Sequence, residues 1–507
     1  MFEAQFEEYI KKCRWFGGKG KSIKDLKIKE SISLEDFELH KIEIFYLDSQ
    51  SELYLLPVAF SEEKPSQGII AKVEYKGKKG FFYEAVFNQN FRRILLKLIY
   101  NNKVILSGES KLSAIAGKKF KLLLKSNKIP LNSTIAQVQQ SNTSFFYENV
   151  FFLKLFRRLQ QGSNPEEQMI RYLTENTTFD KIPAFAGLIK WQSSDCETET
   201  IALLQEYVKN KGDAWSYFCE NINIFINKAL KKSLYTQTQE LIDSEFTQNV
   251  ELLAKRTAQM HLAMAASCDD NEINPEPVTD DYRIYLYESS RNLAQKVFNE
   301  LNFENSDEFI KDDIAKVISV KDKIFEIIEN IKQIKFAGKV IRTHGDYHLG
   351  QVLFTGDDFI ITDFEGEPTR SFIQRRKKHL ALRDISGMIR SFHYASYSPV
   401  LNESIKEADS DLIGFWTNQW YQFVSEVFLD SYFNNLSGTD FLPDALEDLE
   451  YVLDFYMLEK AIYELDYELH NRPAWLIAAA NGILHIINKK IGIHHFNKDV
   501  FKHPIVK

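Results

Sequence analysis

The stretch Ile341-Arg342-Thr343-His344-Gly345-Asp346-Tyr347-His348-Leu349-Gly350-Gln351-Val352-Leu353-Phe354, followed by Phe359-Ile360-Ile361-Thr362-Asp363-Phe364-Glu365, decides how this chain is read. Two short apolar runs flank a turn signal at Gly356-Asp357-Asp358, which is the pattern of a strand hairpin. Such a hairpin brings a loop bearing Asp346 beside a strand end bearing Asp363. His-Gly-Asp alone is a turn with a capping aspartate and recurs by chance. The flanking strands and the second aspartate lift the run above that background. A carboxylate pair of this kind suits phosphoryl transfer. One carboxylate accepts or orients the proton of an attacking hydroxyl, and the other, with an oxygen from the same loop, holds a magnesium ion that neutralises phosphates.

Upstream of this stretch the pattern is strand-rich. Residues 41–82 alternate apolar and polar side chains, as in Lys41-Ile42-Glu43-Ile44-Phe45-Tyr46, the period-2 signature of half-buried strands. A helix is expected near Phe91–Tyr100. Strand-like runs follow at Phe120–Leu124, Ser144–Tyr147, Val150–Phe156, Ala184–Trp191 and Ile201–Val208. One helix interrupts them near Pro165–Glu175, with Ser163 or Asn164 as its cap and Pro165 in the first turn. From about Gly212 the period lengthens, and long helices are expected at Val250–Ala266, Tyr282–Leu301, Ile314–Ile334 and Ala445–Leu469. The fold class is therefore α+β, with a strand-rich N-terminal lobe and a mostly helical C-terminal lobe. The expected divisions are an N-terminal cap over 1–87, an intermediate nucleotide-binding part over 88–207 and a helical lobe over 208–507.

Composition narrows the function classes. The 507 residues are 44% hydrophobic and 26% charged, an ordinary globular balance on a chain longer than one core serves. A net charge of −8 argues against a sequence-independent nucleic-acid binder, which needs a concentrated positive face. The acidic start Met1-Phe2-Glu3-Ala4-Gln5-Phe6-Glu7-Glu8 lacks the basic, then apolar, order of a secretory signal. The apolar run Ala474–Asn488 is broken by Asn481, Gly482 and His485 and falls short of the roughly 20 residues that span a bilayer. Cysteines 13, 196, 219 and 268 show neither disulfide nor zinc spacing. Together these features predict a cytoplasmic protein with no membrane partner.

The catalytic-loop stretch resembles the His-Gly-Asp-x-His-x-x-Asn loop of the aminoglycoside and choline phosphotransferases, within the protein-kinase-like superfamily. The resemblance places Asp346 as catalytic base and Asp363 as magnesium ligand. Gln351 stands where most members have asparagine; it keeps the amide oxygen on a longer side chain. Asp363-Phe364-Glu365-Gly366-Glu367-Pro368 and Leu382-Arg383-Asp384-Ile385-Ser386-Gly387-Met388 are similar to bacterial maltokinase, also found fused to trehalose synthase. So are Arg14-Trp15-Phe16-Gly17-Gly18-Lys19-Gly20 near the start and Lys460-Ala461-Ile462-Tyr463-Glu464-Leu465-Asp466-Tyr467-Glu468 with Arg472-Pro473-Ala474-Trp475 near the end.

That resemblance implies a bilobal kinase fold, ATP and Mg2+ as cofactors, maltose as acceptor and trehalose synthase as a partner enzyme. On the sugar side it assigns Asp346, His344, Tyr463, Glu464, Tyr467, Glu468 and Arg472. Read from spacing alone, Tyr463 and Tyr467 share a helical face that is either an aromatic core stripe or a sugar platform. On the nucleotide side, Lys154 lies in an apolar strand and needs an anionic partner; the resemblance implies the ATP phosphates. The following helix offers Glu166, Glu167 or Gln168 as support. Gln139-Gln140-Ser141-Asn142-Thr143-Ser144 resembles the loop that replaces the glycine-rich one in maltokinases, which puts Ser141 and Thr143 near phosphates. Gln205 and Tyr207 fall at the expected adenine hinge. Arg383 and Asp384 read as a buried ion pair, and by resemblance Asp384 braces the catalytic loop. His261 has no metal-ligand spacing and reads as a packed or exposed residue. Two other readings remain: a kinase for another sugar such as glucosamine, and a non-catalytic sugar sensor or scaffold, against which the presence of Asp346, Asp363 and Lys154 weighs.

Overall fold

The structure is a computed structural model and describes residues 2–47, 50–125, 128–136, 141–195, 197–301, 308–368, 370–401, 410–436 and 438–488. The chain divides into two compact units, Met1–Lys209 and Asn210–Lys507. The first is strand-rich and the second mostly helical, giving the α+β class.

In the N-terminal unit, antiparallel strands Ile23–Leu34, Phe37–Tyr46, Glu52–Ser61, Lys78–Glu84 and Ile69–Tyr75 form one sheet in that spatial order. The short helix Glu3–Lys12 buries Phe6 and Ile10 among apolar residues of this sheet. A second antiparallel sheet runs Val104–Ser107, Ser110–Ala116, Phe185–Gln192, Thr198–Glu206, Phe151–Leu155, Thr143–Tyr147 and Ser133–Ile135. The Gln89–Tyr100 helix turns Phe91, Leu95 and Ile99 into the core between the two sheets. Their spacing of four places them on one helical face.

Two expected elements differ. Phe120–Leu124 is a short helix rather than a strand. Phe120 and Leu124 are buried four apart while Lys121 and Leu122 face outward, which is a helical period too brief to be told from alternation in sequence. Residues 314–334 form two helices, Glu308–Ser319 and Lys321–Asn330, rather than one. The break falls at Ile318-Ser319-Val320, where a serine between β-branched residues gives the helix little intrinsic support.

The C-terminal unit is built on long helices. Ser244–Met264, Leu382–Leu401, Ser410–Asn434 and Leu446–Asn471 pack around aromatic contacts such as Phe218 with Phe392, whose rings stack at 5.3 Å. Val352–Phe354 and Phe359–Ile361 form the expected antiparallel hairpin. Among the described residues no helix is long and apolar enough to cross a membrane. Cys13, Cys219 and Cys268 are free thiols; Cys196 lies outside the described residues.

Candidate active site

In the C-terminal unit, the loop that follows Ile341 is fixed by one buried carboxylate. Asp384, near the start of the Leu382–Leu401 helix, accepts the amide N–H of His344 at 2.7 Å and that of Gly345 at 3.0 Å. Its Oδ2 also lies 3.1 Å from His261 Nε2, and His261 Nδ1 is 2.7 Å from the Tyr432 hydroxyl. Burial pushes the Asp384 carboxyl up, but the His261 and backbone hydrogen bonds outweigh it and hold the group below its usual range. Gly387, one turn further along that helix, lets it approach the loop: a Cβ there would sit 2.6 Å from the Tyr347 carbonyl oxygen.

This arrangement corrects one expectation. Asp384 is buried and Arg383 half-buried, and they do not pair with each other: Asp384 holds the loop, while Arg383 Nη2 reaches Glu367 at 3.2 Å. Adjacent helical residues point about 100° apart, so neighbours in sequence serve different partners. His261 is fully buried, as a packed residue is, and completes the brace through a contact across 123 residues.

His344 is also corrected. It is 1% exposed, so a sugar does not reach it. Its Nε2–H donates to the Thr362 carbonyl at 2.8 Å, and its Nδ1 lies 3.4 Å from the Asp346 amide nitrogen. Thr362 is clamped from the other side, where its amide and its hydroxyl both donate to the Gln351 carbonyl, at 2.8 and 3.1 Å. Asp363 follows immediately with φ of +65°. A non-glycine residue in that left-handed region costs energy and persists where neighbours over-determine it, often at functional sites. Gly345 and Gly366, with φ of +83° and +73°, let the two loops touch: a Cβ on Gly345 would lie 3.3 Å from Gly366 Cα.

Around Asp346 lies a charge network that sequence reasoning missed. Lys460 Nζ donates to Asp346 Oδ1 and to Glu367 Oε1, each at 3.1 Å. Glu367 also accepts from Arg370 and Arg383, and Arg370 Nη2 reaches Glu459 at 3.3 Å. Burial alone would raise the Glu367 carboxyl, but Lys460, Arg383 and Arg370 together hold it well below the carboxylate range. Burial likewise disfavours the Lys460 charge, yet Asp346 and Glu367 outweigh it and raise its pKa. Asp346, Glu367, Lys460, Tyr456 and Tyr463 line one small cavity. The only sequence signal was the placement of Lys460 three residues before Tyr463, on the same helical face.

The other sugar-side residues lie on or just beyond the same helix. Lys460 sits over the Tyr463 ring at 4.7 Å. Glu464 is ion-paired with buried Arg390 at 2.6 Å. Glu468 is 1% exposed and bound by Arg472 through both carboxylate oxygens, at 3.0 and 2.6 Å. Arg472 stacks between Tyr467 and Trp475, 5.4 Å from each ring.

In the N-terminal unit, Lys154 is buried in the Phe151–Leu155 strand and its Nζ donates to Glu166 Oε2 at 2.9 Å. Glu166 is thus a partner of Lys154. Asn164 caps the Pro165–Asn176 helix by accepting the Glu166 and Glu167 amides, which fixes Glu166 in the first turn beneath the strand. Gln205 Nε2 lies 3.3 Å from the other Glu166 oxygen, and the Tyr207 amide donates to the Val150 carbonyl. Ser141 is exposed, whereas Thr143 Oγ1 accepts 2.7 Å from Arg157 Nε. Gln139 and Gln140 lie outside the described residues.

Residues 9–87 match the maltokinase N-terminal cap domain. That segment is thus similar to a maltokinase cap. Over 259 residues, 51% of this chain, it is 24% identical to a glucosamine kinase of Mycolicibacterium smegmatis. A second glucosamine kinase, of Streptacidiphilus jiangxiensis, is 26% identical over 137 residues, 27% of this chain. These segments span 58% and 29% of the two relatives' own length. A solved glucosamine kinase in complex with glucosamine, ADP and inorganic phosphate aligns over 94% of this chain and 98% of its own, with a TM-score of 0.63 at 15% identity. The capped chain thus shares the fold of that enzyme along nearly its whole length.

Asp384→Asn is expected to leave one loop amide facing an NH2 group and to cost about 1–3 kcal/mol of stability. Because the loop carries Asp346, kcat should fall more than KM rises. Thermal unfolding and steady-state kinetics check the two effects.

Proposed function

We propose that the protein is an ATP-dependent sugar kinase that phosphorylates the anomeric hydroxyl of maltose, giving maltose 1-phosphate. The observation that carries the acceptor choice is the Lys460–Asp346 hydrogen bond. It fixes a cation beside the reacting carboxylate, while Glu464 and Glu468 are each already neutralised by an arginine. A neutral sugar meets donors and aromatic faces there; a cationic amine would meet a like charge, with Glu464 and Glu468 already engaged. The second reading is a glucosamine kinase, favoured by the names of the relatives.

Asp346 acts as base through Oδ2, because Oδ1 is held by Lys460. Lys460 thereby orients the carboxylate, and Tyr463 and Tyr467 offer ring faces to the sugar. Asp363 and the Gln351 amide supply the hard oxygen donors that suit Mg2+, and the clamp on Thr362 fits them to that task by setting the Asp363 backbone. Bound there, the ion would neutralise phosphate charge. Lys154, steadied by Glu166, binds ATP phosphates, with Ser141, Thr143, Gln205 and Tyr207 as nucleotide contacts. Trehalose synthase is the proposed partner enzyme, tested by co-elution.

ADP release measured in parallel with maltose, glucosamine and glucose tests the acceptor. Maltose-dependent release is the expected result; release with glucosamine alone would replace maltose by the second reading, and silence with all three would remove the kinase assignment. Lys154→Met should raise KM for ATP by an order of magnitude or more while leaving KM for the sugar nearly unchanged, as steady-state kinetics would show.

A further inference from the structure

We infer that the N-terminal unit holds a second ligand site, distinct from the proposed catalytic residues, that takes a phosphorylated sugar. Between the Gln89–Tyr100 helix and the first sheet lies a cavity of about 1100 Å³, large even for a small-molecule site. Its lining residues include none of the groups assigned above to ATP, magnesium or the acceptor.

One wall is a single face of that helix. Asn90, Arg93, Lys97 and Asn101 recur three or four residues apart and all face the cavity. Arg93 lines the cavity and uses Nη2 on Asn132 Oδ1 at 3.3 Å. Lys97 and Lys128 are exposed at the same cavity and make no ion pair among the described residues. A guanidinium fork with two unpaired ammonium groups suits a phosphate monoester.

The facing wall has different chemistry. Val58, Phe60, Phe82 and Tyr83 form an apolar, aromatic floor from the sheet, fitted to the carbon face of a sugar ring. Glu35 and Asp36 lie at the turn between the first two strands, with Glu35 at φ of +53°, and supply acceptors for sugar hydroxyls. Glu38, the third carboxylate, is held by the Tyr75 hydroxyl at 2.9 Å. Cations on one side and a ring face with acceptors on the other match a ligand with a phosphate at one end and a polyol at the other. A purely apolar or cationic ligand would leave the helix face unmatched. The inference does not depend on the kinase reading, since binding would persist in a catalytically inert chain.

Isothermal titration of the full chain with glucose 6-phosphate, glucose and inorganic phosphate tests it. Glucose 6-phosphate should bind Asp346→Asn and the unaltered chain alike, at least about tenfold more tightly than glucose or phosphate alone, which is about 1.4 kcal/mol. Lys97→Gln, an exposed substitution, and Arg93→Gln should each weaken it several-fold. In the unaltered chain the ligand should slow acetylation of Lys97 and Lys128 but not of exposed Lys12. Binding that is lost in Asp346→Asn, that ignores both cavity substitutions, that phosphate alone matches, or that is absent at millimolar concentration would overturn the assignment.

Discussion

Asp346→Asn is expected to lower kcat by about 10²–10⁴-fold, the range a positioned general base contributes, with the chain still folded. The substitution keeps an oxygen for Lys460 to donate to, and Lys460 retains Glu367 Oε1 at 3.1 Å. The hydrogen-bond frame therefore survives while the proton acceptor is lost. KM for ATP should stay within a few-fold of its original value. Stopped assays for ADP at saturating sugar, with circular dichroism as the check on folding, distinguish loss of the base from loss of the fold. Unchanged turnover would remove Asp346 from the catalytic role.

The second large effect is structural. Glu367 is 3% exposed and receives Lys460, Arg370 and Arg383. Glu367→Gln removes the charge that compensates three buried or half-buried cations, and breaking such a pair costs about 3–5 kcal/mol. The pH dependence follows in sign. The folded-state pKa of Glu367 lies below its unfolded value of about 4.3, so its stabilisation is fully present above that pH and is lost as pH falls towards the folded pKa. The native chain should lose stability on acidification through that window, and Glu367→Gln should show a lower but flatter acid limb. Thermal melts from pH 6 downward at about half-unit steps would read both. An equally steep limb in the variant would assign the acid sensitivity to other carboxylates.

What could be read from the sequence follows the range of the interactions. The hairpin at 352–361, the Asn164 cap and the helix that places Glu166 are set within a dozen residues, so turn and cap signals expose them. The need of Lys154 for an anion was legible from its apolar strand, although only the structure shows Glu166 in that place. The network at Asp346 was not legible, because Lys460 and Asp346 stand 114 residues apart and no local pattern couples them. The same holds for His261, whose lack of motif spacing hid a partner 123 residues away. His344 shows the opposite failure: a motif residue beside the base was read as touching the sugar, whereas packing against Tyr347 and Phe364 turns it inward. At Phe120–Leu124, five residues were too few for periodicity to choose between helix and strand.

The most direct test is phosphorus NMR of the product formed from maltose, ATP and Mg2+. The account predicts a new phosphate ester coupled to the anomeric proton of the sugar, formed by the native chain and not detectably by Asp346→Asn on the same timescale. An ester at a non-anomeric hydroxyl, an ester only with glucosamine, or equal yield from the Asp346→Asn chain would contradict it.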